Sequence, residues 1–368
     1  MSVNTVVEGA PATPVAANAP LLEIERLRVE FGPADAPLAA VKDVTLSVAK
    51  GEVLGLIGES GSGKSLTCRS ALRLIHQPGR IASGSIRFDG RDVLGLSGSE
   101  LRAMRAREMG MVFQDPFSSL NPVFRVGEQV AETLRVNLGM SKKAARAETV
   151  GLLGNVGIPE PERRYLSYPH ELSGGMRQRI MIALATAPKP RLLIADEPTT
   201  ALDVTTQAQI LALLARLRSE NGMAVLLVSH DFGVIAQVCD RVAVMYGGHI
   251  VETGPVEAMY SAPQHPYTRA LLESVPALDA AVRGSERRTA IPGQPPELSE
   301  QIAGCVFAPR CRFAQESCKS ASMRLEQVGE AHASACPVRP FADGRAGAGG
   351  AAATAVRVVP DVAEEAGR

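Results

Sequence analysis

The sequence has no tryptophan, few aromatic residues and no excess of charge of either sign. Lys and Arg total 39, and Asp and Glu also total 39, so the formal net charge is zero. Nucleic-acid-binding proteins usually show a basic excess, so the charge balance argues against that class. Long apolar runs are also missing: the best, residues 180–185, falls far short of the roughly 20 residues that span a bilayer.

Residues 1–20 lack the basic start and the apolar stretch of a signal peptide. We therefore expect the chain to stay in the cytoplasm, where thiols are kept reduced. Its six cysteines are then expected to be free, metal-bound or catalytic rather than paired in disulfides. Residues 1–20 are rich in Ala, Pro and Val, and residues 341–368 are rich in Gly and Ala, so both segments are predicted to be disordered.

The spacing of apolar residues predicts an α/β fold. Residues 21–31 alternate apolar and polar side chains, as a half-buried strand does. Buried strands are predicted at 53–57, 192–195 and 224–228, with a helix between the last two. Residues 115–180 have helical spacing and predict a helical insertion. Strand–helix alternation of this kind predicts a largely parallel, doubly wound sheet.

A phosphate-binding loop is predicted where the strand at 53–57 ends. The run that begins at Gly58 fits the pattern GxxxxGK[ST]. Its glycines let backbone N–H groups converge on phosphate oxygens, and the next helix adds its positive end. Lys64 is placed to neutralise the β and γ phosphates, and the Ser65 hydroxyl can ligate Mg²⁺. A glycine-rich turn without function is the alternative, but the flanking strand and helix argue against it. The predicted contacts are Gly58, Glu59, Ser60, Gly61, Ser62, Gly63, Lys64 and Ser65.

Two further segments suit nucleotide chemistry. The strand at 192–195 leads into Asp196, which would hold Mg²⁺ through water, and Glu197, the candidate base for an attacking water. Ser173, Gly174 and Gly175 precede an apolar helix and predict a second anion site at its N-terminus. Solvated acids and a bare glycine turn are the alternatives, and neither accounts for two phosphate-type sites in one chain.

Together these motifs resemble the ATP-binding cassette (ABC) family over about residues 21–254. The resemblance implies a P-loop NTPase cassette with a RecA-like parallel sheet, an antiparallel β subdomain and a helical subdomain at about 115–180. Gln114 matches the Q-loop, which contacts Mg²⁺ and the nucleophilic water. Asp203 matches the D-loop, and His230 matches the switch histidine at the γ-phosphate. Phe31 matches the aromatic residue that stacks on adenine, although it could equally belong to the core.

The same resemblance assigns the chemistry. It implies that Glu197, His230 and Gln114 are catalytic and that Ser65, Gln114 and Asp196 hold Mg²⁺. In this family two cassettes sandwich each ATP between the P-loop of one and the signature of the other. One P-loop and one signature are present here, so Ser173, Gly174 and Gly175 are expected to act on the ATP of a second cassette, identical or related.

Residues 255–340 resemble the C-terminal extension of the ATPases of oligopeptide, dipeptide and nickel importers. The matching runs are HPYTRALL from His265, IPGQPP from Ile291 and a cysteine cluster. This resemblance implies ATP-driven import of peptides or related solutes, on the cytoplasmic face of the membrane. It also implies two permease subunits docked near Gln114 and an external substrate-binding protein, with no nucleic acid. A soluble cassette acting on DNA or ribosomes is the alternative, but a coiled-coil insertion and a second cassette are missing. An exporter motor is the third, and the extension argues against it.

Four of the six cysteines, Cys305, Cys311, Cys318 and Cys336, fall close together in sequence. Four thiolates are what a [4Fe–4S] cluster needs, and together with the resemblance this predicts such a cluster. Structural zinc sites usually place paired cysteines two to four residues apart, so zinc fits the wider gaps less well. Zinc and four unrelated free thiols remain the alternatives.

Overall fold

A computed structural model describes residues 20–33, 35–200, 202–274, 291–297, 300 and 302–341 of the chain. The two segments predicted to be disordered, 1–20 and 341–368, lie outside the described residues except at Pro20 and Phe341. Ala201, which precedes the predicted D-loop Asp203, also lies outside them. Among the described residues, no helix has both the length and the apolar character that crossing a membrane requires.

The described strands form two sheets. They are β1 (Leu22–Phe31), β2 (Leu38–Val48), β3 (Val53–Ile57), β4 (Arg80–Phe88), β5 (Arg91–Asp92), β6 (Met109–Val112), β7 (Leu192–Asp196), β8 (Ala224–Ser229), β9 (Arg241–Tyr246), β10 (His249–Pro255), β11 (Glu326–Gly329) and β12 (His332–Ser334). A four-stranded antiparallel sheet has the order β2-β1-β4-β5, and the main sheet has the order β11-β12-β10-β9-β3-β8-β7-β6.

Helices connect the strands and build the insertion between β6 and β7. They are α1 (Lys64–Ala71), α2 (Gly98–Arg107), α3 (Pro116–Ser119), α4 (Val126–Leu138), α5 (Lys142–Asn155), α6 (Pro161–Arg164), α7 (Gly174–Thr186), α8 (Val204–Asn221), α9 (Phe232–Val238), α10 (Val256–Ser261) and α11 (Pro266–Ser274). Helix α4 buries Val126, Val130 and Leu134 along one face, as the helical spacing of this region predicted.

The centre of the main sheet is parallel and covered on both faces. Strand β3 pairs in parallel with β8 and β9, and β7 pairs in parallel with β8 and β6. Leu54 and Leu56 of β3 face the core shared with the antiparallel sheet, whereas Val53 and Ile57 face the opposite core. This burial explains why β3 reads as a continuous apolar run, and it confirms the α/β prediction.

The main sheet brings four predicted segments to one edge. The carboxyl ends of β3, β6, β7 and β8 lead into Gly58, Gln114, Glu197 and His230 respectively. Ligands of open α/β sheets bind outside the carboxyl ends of the strands. The topology therefore places the site before any side chain is considered.

The C-terminal extension contributes two strands, β11 and β12, to the main sheet. Strand β12 pairs with the end of β10, with Glu252 opposite Ser334 and Thr253 opposite Ala333. A buried hydrogen bond of 2.7 Å between His332 Nε2 and Glu252 Oε1 reinforces that junction. These strands have four and three residues and are too short to show a period in the sequence, so the sequence did not predict them.

Candidate functional site

The loop from Gly58 to Ser65 wraps around the start of α1 at the end of β3. A Cβ atom at Gly58 would lie 2.1 Å from the carbonyl oxygen of Met245, so this position accepts only glycine. Gly63 caps α1 with a φ of 104°, which other residues rarely adopt. The backbone is also tied across the loop, since Ser62 N–H donates to Glu59 O at 3.2 Å and Gly248 N–H donates to Ser62 O at 3.1 Å.

Lys64 is buried within this loop and folds back on it. Its Nζ donates to the carbonyl oxygens of Gly58 and Glu59, at 2.7 and 2.9 Å. Burial lowers the pKa of Lys64, while the charges of Glu197 and Asp196 partly offset that effect. A phosphate could replace the two carbonyl oxygens as the acceptor for Lys64 Nζ.

Ser65 and Asp196 meet between α1 and β7. Ser65 Oγ donates to Asp196 Oδ1 at 2.9 Å. Asp196 is fully buried, and its Oδ2 atom has no hydrogen-bond partner among the described residues. Burial raises the pKa of Asp196, although the bond from Ser65 opposes that shift. A hydroxyl beside a buried carboxylate with an unsatisfied oxygen fits a Mg²⁺ ion, which prefers oxygen ligands.

Glu197 is the centre of a second polar group at the same edge. Its Oε2 accepts from Gln114 Nε2 at 3.1 Å and from Thr200 Oγ1 at 2.9 Å. His230 Nδ1 lies 3.5 Å from the same oxygen, and its side chain is largely exposed. Glu197 has a φ of 48°, and strained backbone of this kind is concentrated at functional sites. The structure therefore brings the side chains of Gln114, Glu197 and His230 together.

The predicted signature lies at the N-terminus of α7. Ser173 caps this helix, and its Oγ accepts from Met176 N–H at 3.3 Å. A Cβ atom at Gly175 would come within 2.8 Å of Thr206, so the helix start packs closely on the start of α8. Asp203 caps α8 by accepting from the backbone N–H and hydroxyl of Thr206. The signature and the D-loop residue are thus neighbours within one chain.

Phe31 lies at the end of β1 and is partly buried against the core beneath the antiparallel sheet. A Cβ atom at Gly79 would come within 2.7 Å of its ring. The close packing agrees with a core residue, although the side chain is only partly buried. Its predicted stacking on adenine stays a prediction.

Cys305, Cys311, Cys318 and Cys336 line one small apolar cavity together with Phe307 and His265. All four are free thiols, and all but Cys311 are buried. Burial raises the pKa of Cys305 to about 11 and also raises that of Cys311 and Cys336.

Within the described part of the chain, no group of three or more His, Cys, Asp or Glu side chains is placed to hold a metal ion. The predicted [4Fe–4S] cluster is therefore not supported: the four sulfur atoms share a cavity but do not form a ligand set.

Sequence reasoning missed two contributors to the site. The Thr200 hydroxyl donates a hydrogen bond to the Glu197 carboxylate. Its position three residues after Glu197, in a tight turn, was the only feature of the sequence that could have indicated this contact. Tyr267 accepts a hydrogen bond from Glu59 N–H at 2.8 Å although 208 residues separate the two. No local pattern predicts so distant a contact.

Comparison with known proteins gives two family matches. The profile described as ABC transporter matches residues 41–200. The profile described as the C-terminal region of oligopeptide/dipeptide transporters matches residues 251–318. A protein of Brucella abortus (strain 2308), named as a peptide import ATP-binding protein, is 49% identical over 321 residues, which cover 87% of this chain and 96% of that protein. A Brucella ovis protein, also named as a peptide import ATP-binding protein, is 49% identical over 326 residues, which cover 86% of this chain and 96% of that protein.

Solved structures agree on the fold. A dimeric ATP-binding cassette in a post-hydrolysis state, bound to ADP and Pi, is 29% identical, with a TM-score of 0.58 over 64% of this chain and 98% of that chain. A protein from Clostridium perfringens that is part of an ABC transporter complex is 28% identical, with a TM-score of 0.57 over 66% of this chain and 90% of that chain.

Proposed function

The chain belongs to the ABC transporter ATPases of the oligopeptide and dipeptide type, and from this premise we propose that it hydrolyses ATP to drive peptide import across the cytoplasmic membrane. The single observation that carries the site assignment is the meeting of two pairs on one sheet edge. Ser65 bonds Asp196, and Gln114 bonds Glu197. The oxygens of Ser65 and Asp196 could bind a cation, and the side chains of Gln114 and Glu197 could hold a water molecule.

We propose the following roles for the chain's own residues. The P-loop N–H groups and Lys64 bind the β and γ phosphates, and Phe31 supports the base. Ser65, Asp196 and Gln114 would hold Mg²⁺, which neutralises phosphate charge when bound. Glu197 takes a proton from water as the water oxygen attacks the γ-phosphorus and the bond to ADP breaks. His230, 3.5 Å from Glu197, is placed to contact the γ-phosphate.

The working unit is proposed to be a pair of cassettes, identical or related. Each chain has one P-loop and one signature, so a closed site needs Ser173, Gly174 and Gly175 from a second chain, with Asp203 at the same interface. The solved cassette bound to ADP and Pi is described as dimeric, which supports this arrangement. The helix end at Ser173 would supply its positive dipole to the phosphate of the other chain.

Peripheral attachment to two membrane permeases is proposed through the segment that follows Gln114. Val123 and Phe124 expose 71% and 56% of their surface there. Exposed neighbouring apolar side chains of this size favour a protein partner. An external substrate-binding protein would deliver the peptide. These partners fit the family, whose C-terminal profile matches residues 251–318.

For the four-cysteine cavity we retain a [4Fe–4S] centre as a proposal that rests on the number of thiols and their shared cavity. The placement of the sulfur atoms does not support it, so no catalytic step is assigned to it. Protein purified without oxygen should contain about four irons per chain and lose its brown colour in Cys311→Ser. Iron-free, colourless protein with full activity would exclude the cluster.

The decisive test of the function is peptide uptake by vesicles that contain the chain, its permeases and its binding protein. ATP-dependent uptake is expected, and Lys64→Ala should abolish it by weakening ATP binding. Lys50→Ala removes an exposed lysine in the turn before β3, at the opposite end of that strand from the P-loop, and is the matched control that should retain uptake. ATP hydrolysis that is stimulated by DNA or ribosomes, and not by permeases, would instead favour a soluble cassette.

A further inference from the structure

The P-loop contains an acidic residue where phosphate must bind, and the C-terminal extension neutralises it. Glu59 accepts two hydrogen bonds from Arg310, from Nη1 to Oε2 at 2.6 Å and from Nη2 to Oε1 at 3.1 Å. The Arg310 side chain exposes 7% of its surface, and the Glu59 side chain exposes 23%. A bidentate, largely desolvated pair of this kind is among the strongest ionic contacts in proteins.

Arg310 is held in place from three sides. Its Nη1 also donates to the Tyr246 hydroxyl at 3.1 Å, and its Nε donates to the carbonyl oxygen of Pro292 at 2.8 Å. Burial alone would lower the pKa of Arg310, but the bonds to Glu59 and Tyr246 raise it overall. The guanidinium is therefore charged and fixed, and no other cation forms an ion pair with Glu59 within the described residues.

A second residue of the extension also contacts Glu59. The Tyr267 hydroxyl accepts from Glu59 N–H at 2.8 Å, and the rings of Tyr267 and Tyr246 pack with centroids 4.5 Å apart. The extension thus fixes both the backbone and the side chain of Glu59. Lys64 Nζ bonds the carbonyl oxygen of this same residue, so Glu59 lies beside the cation that receives phosphate.

We propose that Arg310 is a positioning residue of the ATP site, which cancels the charge of Glu59 and turns its carboxylate away from the incoming phosphates. This inference rests on the proposed role of the P-loop. A carboxylate left without its partner would repel ATP, and repulsion grows with the charge of the nucleotide. The C-terminal extension, by this argument, makes an acidic P-loop able to bind a polyphosphate.

The test measures Mg-ATP, ADP and AMP affinity of the full chain by calorimetry. Arg310→Gln should weaken ATP binding about tenfold, which is the size expected for one uncompensated charge at several ångströms in a partly hydrated site. The loss should be smaller for ADP and smallest for AMP. Arg310→Lys, which keeps the charge, should recover most of the ATP affinity.

Removal of the charge on Glu59 distinguishes this electrostatic role from a purely structural contact between Glu59 and Arg310. Glu59→Gln should bind ATP more tightly than wild type, and Glu59→Gln combined with Arg310→Gln should bind ATP better than Arg310→Gln alone. If Glu59→Gln instead weakens ATP as much as Arg310→Gln does, or if all three nucleotides lose affinity equally, the contact is purely structural and the proposal is wrong.

Lys64→Ala distinguishes failure of this inference from failure of the proposed site. If Lys64→Ala loses ATP binding while Arg310→Gln keeps it, only the role of Arg310 is overturned. If neither variant changes ATP affinity, the phosphate site itself has been assigned wrongly. The Glu59→Gln measurement remains available if Arg310→Gln fails to fold.

Discussion

Gln114 donates a hydrogen bond of 3.1 Å to Glu197 although the two residues are 83 positions apart. They are brought together because β6 and β7 are parallel neighbours and each residue follows the carboxyl end of its strand. The bond fixes the orientation of the carboxylate that we propose as the base. It also connects that carboxylate directly to the segment that enters the helical insertion, where permeases are proposed to dock.

Replacement of Glu197 by Gln tests its role as the base. Glu197→Gln keeps an oxygen acceptor for Gln114 and Thr200 but cannot take a proton from water. Loss of a general base lowers the rate by about 10²–10⁴-fold, so steady-state ATP hydrolysis should fall by that factor while ATP affinity persists. Phosphate release assays and equilibrium binding measure the two quantities. Normal turnover in this variant would remove Glu197 from the catalytic role.

The sequence predicted the parts of this site that depend on local pattern. The P-loop from Gly58, the acidic strand end at Asp196 and the cap at Ser173 each combine a short motif with a strand or helix boundary, and the structure has those boundaries. Contacts across long separations were not predictable in this way. The pairing of β12 with β10 and of Arg310 with Glu59 depends on how the extension folds back, and short irregular segments carry no period that reveals it.

A charge introduced at Ser173 tests the two-chain sandwich. Ser173→Arg would place a bulky cation at the helix start that is proposed to face the phosphate of a second chain. ATP hydrolysis should fall below detection, whereas the isolated chain should bind ATP with nearly native affinity. Size-exclusion chromatography with ATP and Glu197→Gln as the background should show loss of the dimer.

Ser141 provides the matched control for that change. It is exposed like Ser173 and caps α5 in the same way, since its Oγ accepts from Ala144 N–H at 3.3 Å. Ser141→Arg removes an equivalent cap and should leave hydrolysis near the wild-type rate. Equal inactivation by both changes would point to loss of helix capping, and loss of ATP binding by the Ser173 variant alone would place Ser173 in its own chain's site.

Acidification should destabilise the chain through His249. This residue starts β10 and follows Gly248, whose N–H donates to Ser62 O in the P-loop. Burial and the neighbouring Lys42 charge lower the pKa of His249 to about 4, below its usual value of about 6.5. The unfolded chain therefore takes up the proton first, so this contribution to stability is complete above about pH 6.5 and is lost as the pH falls toward 4. Because the ring is partly exposed, we expect a loss of about 1 kcal/mol between pH 7 and 5.

His249→Gln removes the titrating group but keeps a polar side chain, so its free energy of unfolding should fall less steeply with pH than that of the wild type. Urea unfolding at pH 7, 6 and 5 measures the slopes. His76→Gln changes an exposed histidine and should keep the wild-type slope. His249 follows Gly248, whose N–H donates to Ser62 O and whose carbonyl accepts from Lys42 N–H, so a proton on His249 would add a second positive charge beside Lys42. An identical pH slope in His249→Gln and wild type would show that this histidine does not set the acid sensitivity.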